Sequence, residues 1–253
     1  MVKLSVCVEM FWTKEPYEKR IELSGALGYK AVEFWGWQNK DLDKIKKTME
    51  TSQVKLATFF MEADKPLVDP TVKNELAEGL KKSIAAAKKL GVDRLCFPTG
   101  NERKNESFCV TRNTVVRNLR KIVPILEENN VILCLEPLNP IVDPFGYWLT
   151  KMSDAADIVM EVNSPQVKIL MDIYHQQITE GNIIANIRQY LPYIGHFHTG
   201  GVPGRHELVG GELDYRAIFH EISRLGYTGH AGLEFSPQGN TTDALKQAME
   251  LAT

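Results

Sequence analysis

The sequence has few cysteines and no closely spaced pair of them. Cys7, Cys96, Cys109 and Cys134 are far apart, and no C-x-x-C motif occurs. Three of them lie inside apolar runs, where a free thiol behaves as a small hydrophobic side chain. We therefore expect neither disulfide bonds nor a zinc–thiolate site.

The chain also lacks long hydrophobic runs and any excess of basic charge. Its longest apolar runs are only a few residues, and Glu9 interrupts the N-terminal segment where a signal peptide would need its apolar region. A formal net charge of −2 gives no general attraction to nucleic acids or anionic membranes. We expect a cytoplasmic protein that binds neither.

The composition is otherwise that of an ordinary globular protein. Hydrophobic residues make up 43% of the 253 residues and charged residues 25%. These are typical values, and no segment is depleted enough in apolar residues to indicate disorder. Because α/β barrels of this length are commonly one domain, we expect residues 1–253 to fold as a single domain.

Short apolar runs alternate with longer helical patterns along the whole chain. The predicted strands are 4–8, 31–35, 56–61, 94–97, 131–136, 167–172, 194–198 and 231–234. The predicted helices are 17–27, 41–51, 73–90, 114–129, 153–162, 182–190, 214–225 and 242–251, with Ser153 and Asp214 as N-caps.

Eight strand–helix units without a linker predict an α/β fold, the closed (β/α)₈ TIM barrel. An open doubly wound sheet is the alternative. Such a sheet usually carries a G-x-G-x-x-G phosphate loop after its first strand, and this sequence contains no such motif. The barrel is therefore favoured.

Polar residues end four successive predicted strands, at the end of a barrel where active sites form. They are Glu136, Asp172, His198 and Glu234, and each follows an apolar run. Taken singly, each carboxylate is better explained as a helix cap or a lysine partner. Together, three buried carboxylates repel one another unless a cation holds them. The set predicts a divalent metal ion, and its donors favour Mg²⁺ or Mn²⁺ over structural zinc.

The segment 195–207, GHFHTGGVPGRHE, combines three histidines, an arginine and four glycines. Strand alternation places His196 and His198 on the same side. One interpretation is a metal ligand or catalytic base at the strand end, with Arg205 binding an anionic substrate. The other is a single buried, hydrogen-bonded histidine beside a solvated loop. His175, three residues beyond Asp172, is expected either to hydrogen-bond a substrate oxygen or to cap the next helix.

Other residues near the strand ends have weaker signals. Glu9 and Glu33 are candidates for contacts with sugar hydroxyls, but we expect solvated or helix-pairing roles and leave them outside the site. Aromatic residues near the first three strand ends either exclude water from the site or, for most of them, pack in the core. They are Phe11, Trp12, Trp35, Trp37, Phe59 and Phe60.

Several segments resemble the hydroxypyruvate isomerase family over essentially the whole chain. They are LEPLN at 135–139, DIYHQQ at 172–177, GVPGRHE at 201–207, GELDY at 211–215 and GLEFSPQG at 232–239. That family belongs to the xylose isomerase-like barrels, which also include ketose 3-epimerases and endonuclease IV. The pattern P-x-R-H-E followed by G-E-(hydrophobic)-(Asn/Asp)-Tyr is fairly specific to the isomerase branch.

The resemblance implies roles for individual residues. Four would hold a divalent metal: Glu136, Asp172, His198 and Glu234. Glu136 and Glu234 would also move the proton, while His175 and Arg205 would orient substrate oxygens. At position 198 many hydroxypyruvate isomerases have glutamine, whereas this chain has histidine, as ketose epimerases do. That departure bears on the substrate more than on the chemistry.

The predicted reaction interconverts hydroxypyruvate and tartronate semialdehyde through an enediolate, with two glutamates as acid and base. A ketose 3-epimerase, or another small sugar or 2-oxo-sugar-acid isomerase, is the first alternative. An endonuclease IV-like phosphodiesterase is disfavoured by six histidines and a net charge of −2, and a non-catalytic metabolite sensor by the two glutamates. The predicted partner is a small-molecule acid or sugar. Barrels of this kind often form homo-oligomers, but no segment identifies the surface.

Overall fold

The strands close into a parallel barrel in chain order, from β1 round to β8 and back to β1. The computed structural model describes residues 1–142 and 146–252. The strands are β1 Lys3–Cys7, β2 Ala31–Phe34, β3 Lys55–Phe60, β4 Arg94–Phe97, β5 Ile132–Leu135, β6 Val167–Asp172, β7 Ile194–Thr199 and β8 His230–Leu233. The predicted (β/α)₈ TIM barrel is confirmed.

Helices follow the strands and cover the outside of the barrel. They are α1 Tyr17–Ala26, α2 Leu42–Thr51, α3 Glu75–Leu90, α4 Phe108–Asn129, α5 Met152–Val162, α6 Ile173–Thr179, α7 Ile183–Tyr190, α8 Tyr215–Arg224 and α9 Thr241–Leu251. Within the described parts of the chain, none is both long and apolar enough to cross a membrane.

Some predicted helix starts are wrong. Helix α4 begins at Phe108, six residues before the predicted start at 114, and α5 begins at Met152. Ser153 is not the N-cap of α5, because it lies inside the helix, whose N-cap is Lys151. Glu180, directly after α6, accepts the hydrogen bond from the backbone N–H of Met152 at 2.8 Å. Asp214 does cap α8 as predicted, accepting from the backbone N–H of Ala217 at 3.1 Å.

Helix α6 was missed by the sequence analysis, which placed no element between 172 and 182. It starts directly at the end of β6, with Asp172 as its N-cap, whose Oδ1 accepts hydrogen bonds from the backbone N–H groups of Tyr174 and His175. A helix of 7 residues shows little periodicity. Only the buried cap residue therefore signals it.

Strand alternation sorts side chains between the barrel interior and the helix layer. Phe34 and Phe59 point outward and stack with ring centroids 5.7 Å apart. Their neighbours Glu33 and Phe60 point inward. His196 and His198 face the interior together, with centroids 5.2 Å apart, which confirms that they share one side.

The loop after β1 is held at the carboxyl end of the barrel by Arg20 of α1. Its guanidinium donates three hydrogen bonds of 2.8 Å to the backbone carbonyls of Val8, Thr13 and Glu15, and Arg20 is only 9% exposed. We expect Arg20→Met to destabilise the protein by about 2–4 kcal/mol, because buried carbonyls lose charged donors. Urea unfolding measures this.

The matched control for this variant is Lys19→Met. Lys19 is the preceding residue of α1, and its ammonium makes only an exposed ion pair with Glu22. Such pairs contribute about 1 kcal/mol or less. An Arg20→Met stability equal to that of Lys19→Met would contradict the assigned role.

Candidate active site

The four strand-end residues predicted from the sequence meet at the carboxyl end of the barrel. They are Glu136, Asp172, His198 and Glu234. All four are buried, and one potential ligand atom from each lies within 4.8 Å of the others. Three carboxylates and one imidazole thus converge on a single point.

His198 contacts this group through Nδ1. The atom lies 2.9 Å from Glu234 Oε2 and 3.5 Å from Glu136 Oε1. Neither contact is aligned as a hydrogen bond, so within the described residues this buried nitrogen has no hydrogen-bond partner. A buried nitrogen without a partner is costly, and here it faces carboxylate oxygens. These donors therefore fit a divalent cation.

The two glutamates differ in their electrostatic surroundings. Burial raises the pKa of Glu136, and the nearby Glu234 and Asp172 add to that rise, against an opposing effect of His198. Burial also acts to raise the pKa of Glu234, but His198 and Arg205 outweigh it and hold that pKa well below the usual range. Neighbouring carboxylates with opposite shifts are suited to acid and base roles.

Arg205 lies beside the carboxylates rather than free in its loop. Its Nη2 donates to Asp172 Oδ2 at 2.8 Å and to Glu234 Oε2 at 2.6 Å, and its Nε donates to the Glu234 carbonyl at 3.1 Å. The guanidinium carbon lies 4.9 Å from the centre of the Tyr174 ring. Arg205 has a φ of 57°, which is unfavourable for a side-chain-bearing residue. The contacts of its side chain hold Arg205 in this backbone conformation.

His175 has a defined tautomer. Its Nδ1 accepts a hydrogen bond from the backbone N–H of Asn139 at 3.1 Å, so the ring proton is on Nε2. Nε2 lies 3.6 Å from Asp172 Oδ2, and the ring is among the residues that line the cavity. The alternative that His175 caps the next predicted helix is wrong, because His175 lies inside α6 and the N-cap of α7 is Asn182.

A cavity of about 350 Å³ opens beside this group, at Glu136 and Glu234. It is lined by Trp35, Phe60, Pro98, Glu136, Leu138, His175, Arg205 and Glu234. This volume is at the small end of ligand sites in proteins. The cavity has room for a small acid or sugar and brings together both predicted substrate-binding residues.

Two of the six aromatic residues near the strand ends belong to this cavity. Trp35 donates from Nε1 to Glu234 Oε1 at 2.5 Å, and Phe60 forms part of the wall. Phe11 and Phe59 are fully buried in the core instead. Trp37 donates to Ser83 Oγ at 3.3 Å. Trp12 and Trp37 also pack, partly buried, against the core. The expectation that most of the six aromatic side chains serve packing is thus confirmed.

Glu33 is the polar residue that the sequence analysis misplaced. It is neither solvated nor paired with a helix, but is 1% exposed inside the barrel. Its Oε2 accepts from Ser5 Oγ at 2.7 Å and lies 2.9 Å from His196 Nε2, and its Oε1 lies 3.0 Å from His198 Nε2. Burial acts to raise its pKa, but the two histidines outweigh it and lower the pKa to about 2. The sequence signal for its burial was the position of Glu33 among apolar residues, in the strand segment AVEF at 31–34.

The two interpretations of segment 195–207 apply to different histidines. His196 is the buried, hydrogen-bonded one, and burial lowers its pKa. His198 is the one that lies with the strand-end carboxylates. Glu9, by contrast, accepts from Tyr17 Oη at 2.7 Å and pairs with Lys40 at 2.8 Å.

Comparison with known proteins places these features in a family. Residues 21–253 match the family model described as xylose isomerase-like TIM barrel. A Danio rerio protein named provisionally as a hydroxypyruvate isomerase is 31% identical, over 97% of this chain and 95% of its own length. The hydroxypyruvate isomerase of Escherichia coli strain K12 is 26% identical, over 97% and 98% of the two chains. The 2-oxo-tetronate isomerase of Cupriavidus necator is 26% identical, over 97% and 96%.

Solved structures share the fold. One, titled as an AP endonuclease of family 2 from Brucella melitensis, superposes with a TM-score of 0.93 over 99% of both chains at 24% identity. At that identity the likeness bears on the fold alone. The activity is indicated instead by the family match and by the relatives named as isomerases, which align with nearly the whole chain. This chain therefore belongs to the xylose isomerase-like TIM-barrel family and is an isomerase.

Proposed function

We propose that the protein is a metal-dependent isomerase of a small 2-oxo or hydroxy acid, with hydroxypyruvate and tartronate semialdehyde as its substrate and product. The observation that carries this proposal is the pair Glu136 and Glu234, buried together beside one small cavity and one potential cation site. A bound Mg²⁺ or Mn²⁺ would be held by these glutamates with Asp172 and His198. The ion would supply stabilising charge for the enediolate oxygens.

The residues of the chain account for the rest of the reaction. One glutamate removes a proton from C3 of hydroxypyruvate and a proton is returned to C2, while the C3 hydroxyl loses its proton and the C2 oxygen gains one, so that the ketone becomes a hydroxyl and the C3 alcohol an aldehyde. His175 offers its Nε2–H to a substrate oxygen, as its tautomer allows. Trp35 and Phe60 limit the access of water to the enediolate.

Arg205 is proposed to bind the substrate carboxylate with the guanidinium N–H groups that Asp172 and Glu234 do not use. We expect Arg205→Lys to raise KM about tenfold, since a point charge replaces a planar fork and one charged hydrogen bond is worth about 1.5 kcal/mol or more. Steady-state kinetics measure the change. Arg216→Lys, on the exposed side of α8, should leave KM unchanged, and an unchanged KM in both variants would contradict this role.

A ketose 3-epimerase on the same site is the second candidate. His198 favours it, because the resemblance associates histidine at this position with ketose epimerases. The same enediolate chemistry then inverts one carbon instead of moving a carbonyl. Among acid substrates, 2-oxo-tetronate is a candidate beside hydroxypyruvate, because the chain is 26% identical both to a hydroxypyruvate isomerase and to a 2-oxo-tetronate isomerase.

Proton NMR in D₂O of the Mg²⁺- or Mn²⁺-reconstituted protein tests the proposal. Hydroxypyruvate, 2-oxo-tetronate and a panel of ketoses are the substrates. Deuterium in newly formed tartronate semialdehyde is the expected result. Turnover of a ketose alone would replace the proposed reaction with epimerisation, and the absence of exchange with all of them would overturn isomerisation of these substrates.

A further inference from the structure

A second buried polar group lies against the proposed metal site inside the barrel. It consists of Ser5, Glu33 and His196, which are at most 1% exposed. We call it the Glu33 layer. Its hydrogen bonds run from Ser5 Oγ to Glu33 Oε2 and between His196 Nε2 and the same oxygen. The layer contacts the proposed metal site at His198, since Glu33 Oε1 lies 3.0 Å from His198 Nε2.

The barrel makes room for the Glu33 carboxylate at one position. Glu33 is on β2, whereas His196 and His198 are on β7, so its side chain crosses β1 and β8 inside the barrel. On β8 the residue in register with both Ser5 and His198 is Gly232. A Cβ at Gly232 would overlap the Glu33 carboxylate. The glycine thus leaves space that the carboxylate fills.

The two nitrogens of His198 face different groups. Nδ1 faces Glu136 and Glu234, where the ion would bind, and Nε2 faces Glu33 Oε1. Among the described residues Glu33 Oε1 has no hydrogen-bond partner, and His198 Nε2 lies 3.0 Å from it, so its lone pairs are free for a proton on that nitrogen. A histidine with its proton on Nε2 presents the lone pair of Nδ1, and only that lone pair can bind a metal.

We propose that Glu33 is a positioning residue, which holds the Nε2 proton of His198 and thereby directs the Nδ1 lone pair at the metal ion. This inference rests on the metal site of the proposed function. Glu33 does not touch the substrate. It acts through His198, whose ring and tautomer it sets.

The chemistry of the Glu33 layer requires a carboxylate. Nδ1 of His196 has no hydrogen-bond partner among the described residues, so its proton belongs on Nε2, toward Glu33. In the proposed arrangement Glu33 accepts hydrogen bonds from Ser5, His196 and His198, and only an acceptor without protons of its own can accept all three. A glutamine would put an N–H₂ group against one histidine. That histidine would have to move its proton to Nδ1.

The test compares Glu33→Gln with Ser5→Ala in the full chain. Mn²⁺ affinity is measured by calorimetry on the EDTA-treated protein, and Tm is measured in EDTA. We expect one Mn²⁺ per chain in the wild type and about 10- to 100-fold weaker binding in Glu33→Gln, the usual effect of losing the partner of a histidine ligand. Ser5→Ala removes another hydrogen bond from the same carboxylate but leaves His198 untouched, and should stay within about threefold of the wild type.

Each other outcome has a definite meaning. Absence of Mn²⁺ binding by the wild type would defeat the metal site itself, whereas equal binding by wild type and Glu33→Gln would defeat only the positioning role. Equal losses in Glu33→Gln and Ser5→Ala would also overturn it, since the layer would then act by packing. A second bound Mn²⁺ that disappears in Glu33→Gln would make Glu33 a ligand instead.

A measurement on the wild type keeps the inference testable if Glu33→Gln does not fold. Long-range ¹H–¹⁵N correlation of the Mg²⁺-loaded protein reports which ring nitrogen of each histidine carries the proton. We expect a proton on Nε2 and none on Nδ1 for both His196 and His198. A proton on Nδ1 of His198 would overturn the proposal.

Discussion

Replacement of Glu136 or Glu234 with glutamine is expected to reduce kcat by about 10²- to 10⁴-fold, the usual contribution of a positioned general acid or base. Glutamine keeps the size of each side chain but cannot accept or deliver the proton. Deuterium incorporation from D₂O into the product measures the proton transfer itself. The losses should not add in the double variant, because the two groups act in one sequence of steps.

Both glutamates are also proposed metal ligands, so the variants must be assayed at several Mn²⁺ concentrations. Activity that stays low when Mn²⁺ saturates the variant identifies the loss as proton transfer. Glu50→Gln, on the exposed side of α2, is the matched control and should retain full activity. Wild-type exchange in the double variant would refute the mechanism.

Removal of divalent metal is expected to abolish activity, and Mg²⁺ or Mn²⁺ should restore it. The physical reason is the convergence of three buried carboxylates, whose mutual repulsion a cation relieves while it also stabilises developing negative charge. The metal should also raise Tm, since an ion at 100 times its Kd stabilises the fold by about 2.7 kcal/mol. Activity after EDTA dialysis and Tm with added metal measure the two effects.

Asp172→Asn is the sharpest variant for this prediction. Asp172 is both a proposed ligand and the N-cap of α6. Asparagine caps helices about as well as aspartate, so the variant should keep the fold in EDTA and lose the rise of Tm with Mn²⁺. Full activity of the wild type in EDTA, or an undiminished rise of Tm in Asp172→Asn, would contradict the assignment.

The fold followed from local patterns. Alternating strand and helix periodicities specify eight units, and a parallel strand must bury both faces, which leads to a barrel enclosed by helices. The four polar residues at the strand ends were found in the same way, because barrel closure brings the carboxyl ends of all strands to one face. The structure places their ligand atoms within 4.8 Å of one another. Their roles as metal ligands and catalytic groups remain predictions.

Local sequence patterns therefore specify the barrel and the strand ends that face its active side. Which inward-facing residues meet across the barrel depends instead on the closed sheet. Glu33 lies on β2 and reaches β7 only because the sheet closes and Gly232 leaves the space between them. Arg205 is 33 residues from Asp172 in sequence yet donates to its carboxylate. Contacts of this kind depend on strand register and barrel closure, and neither is a property of a local segment.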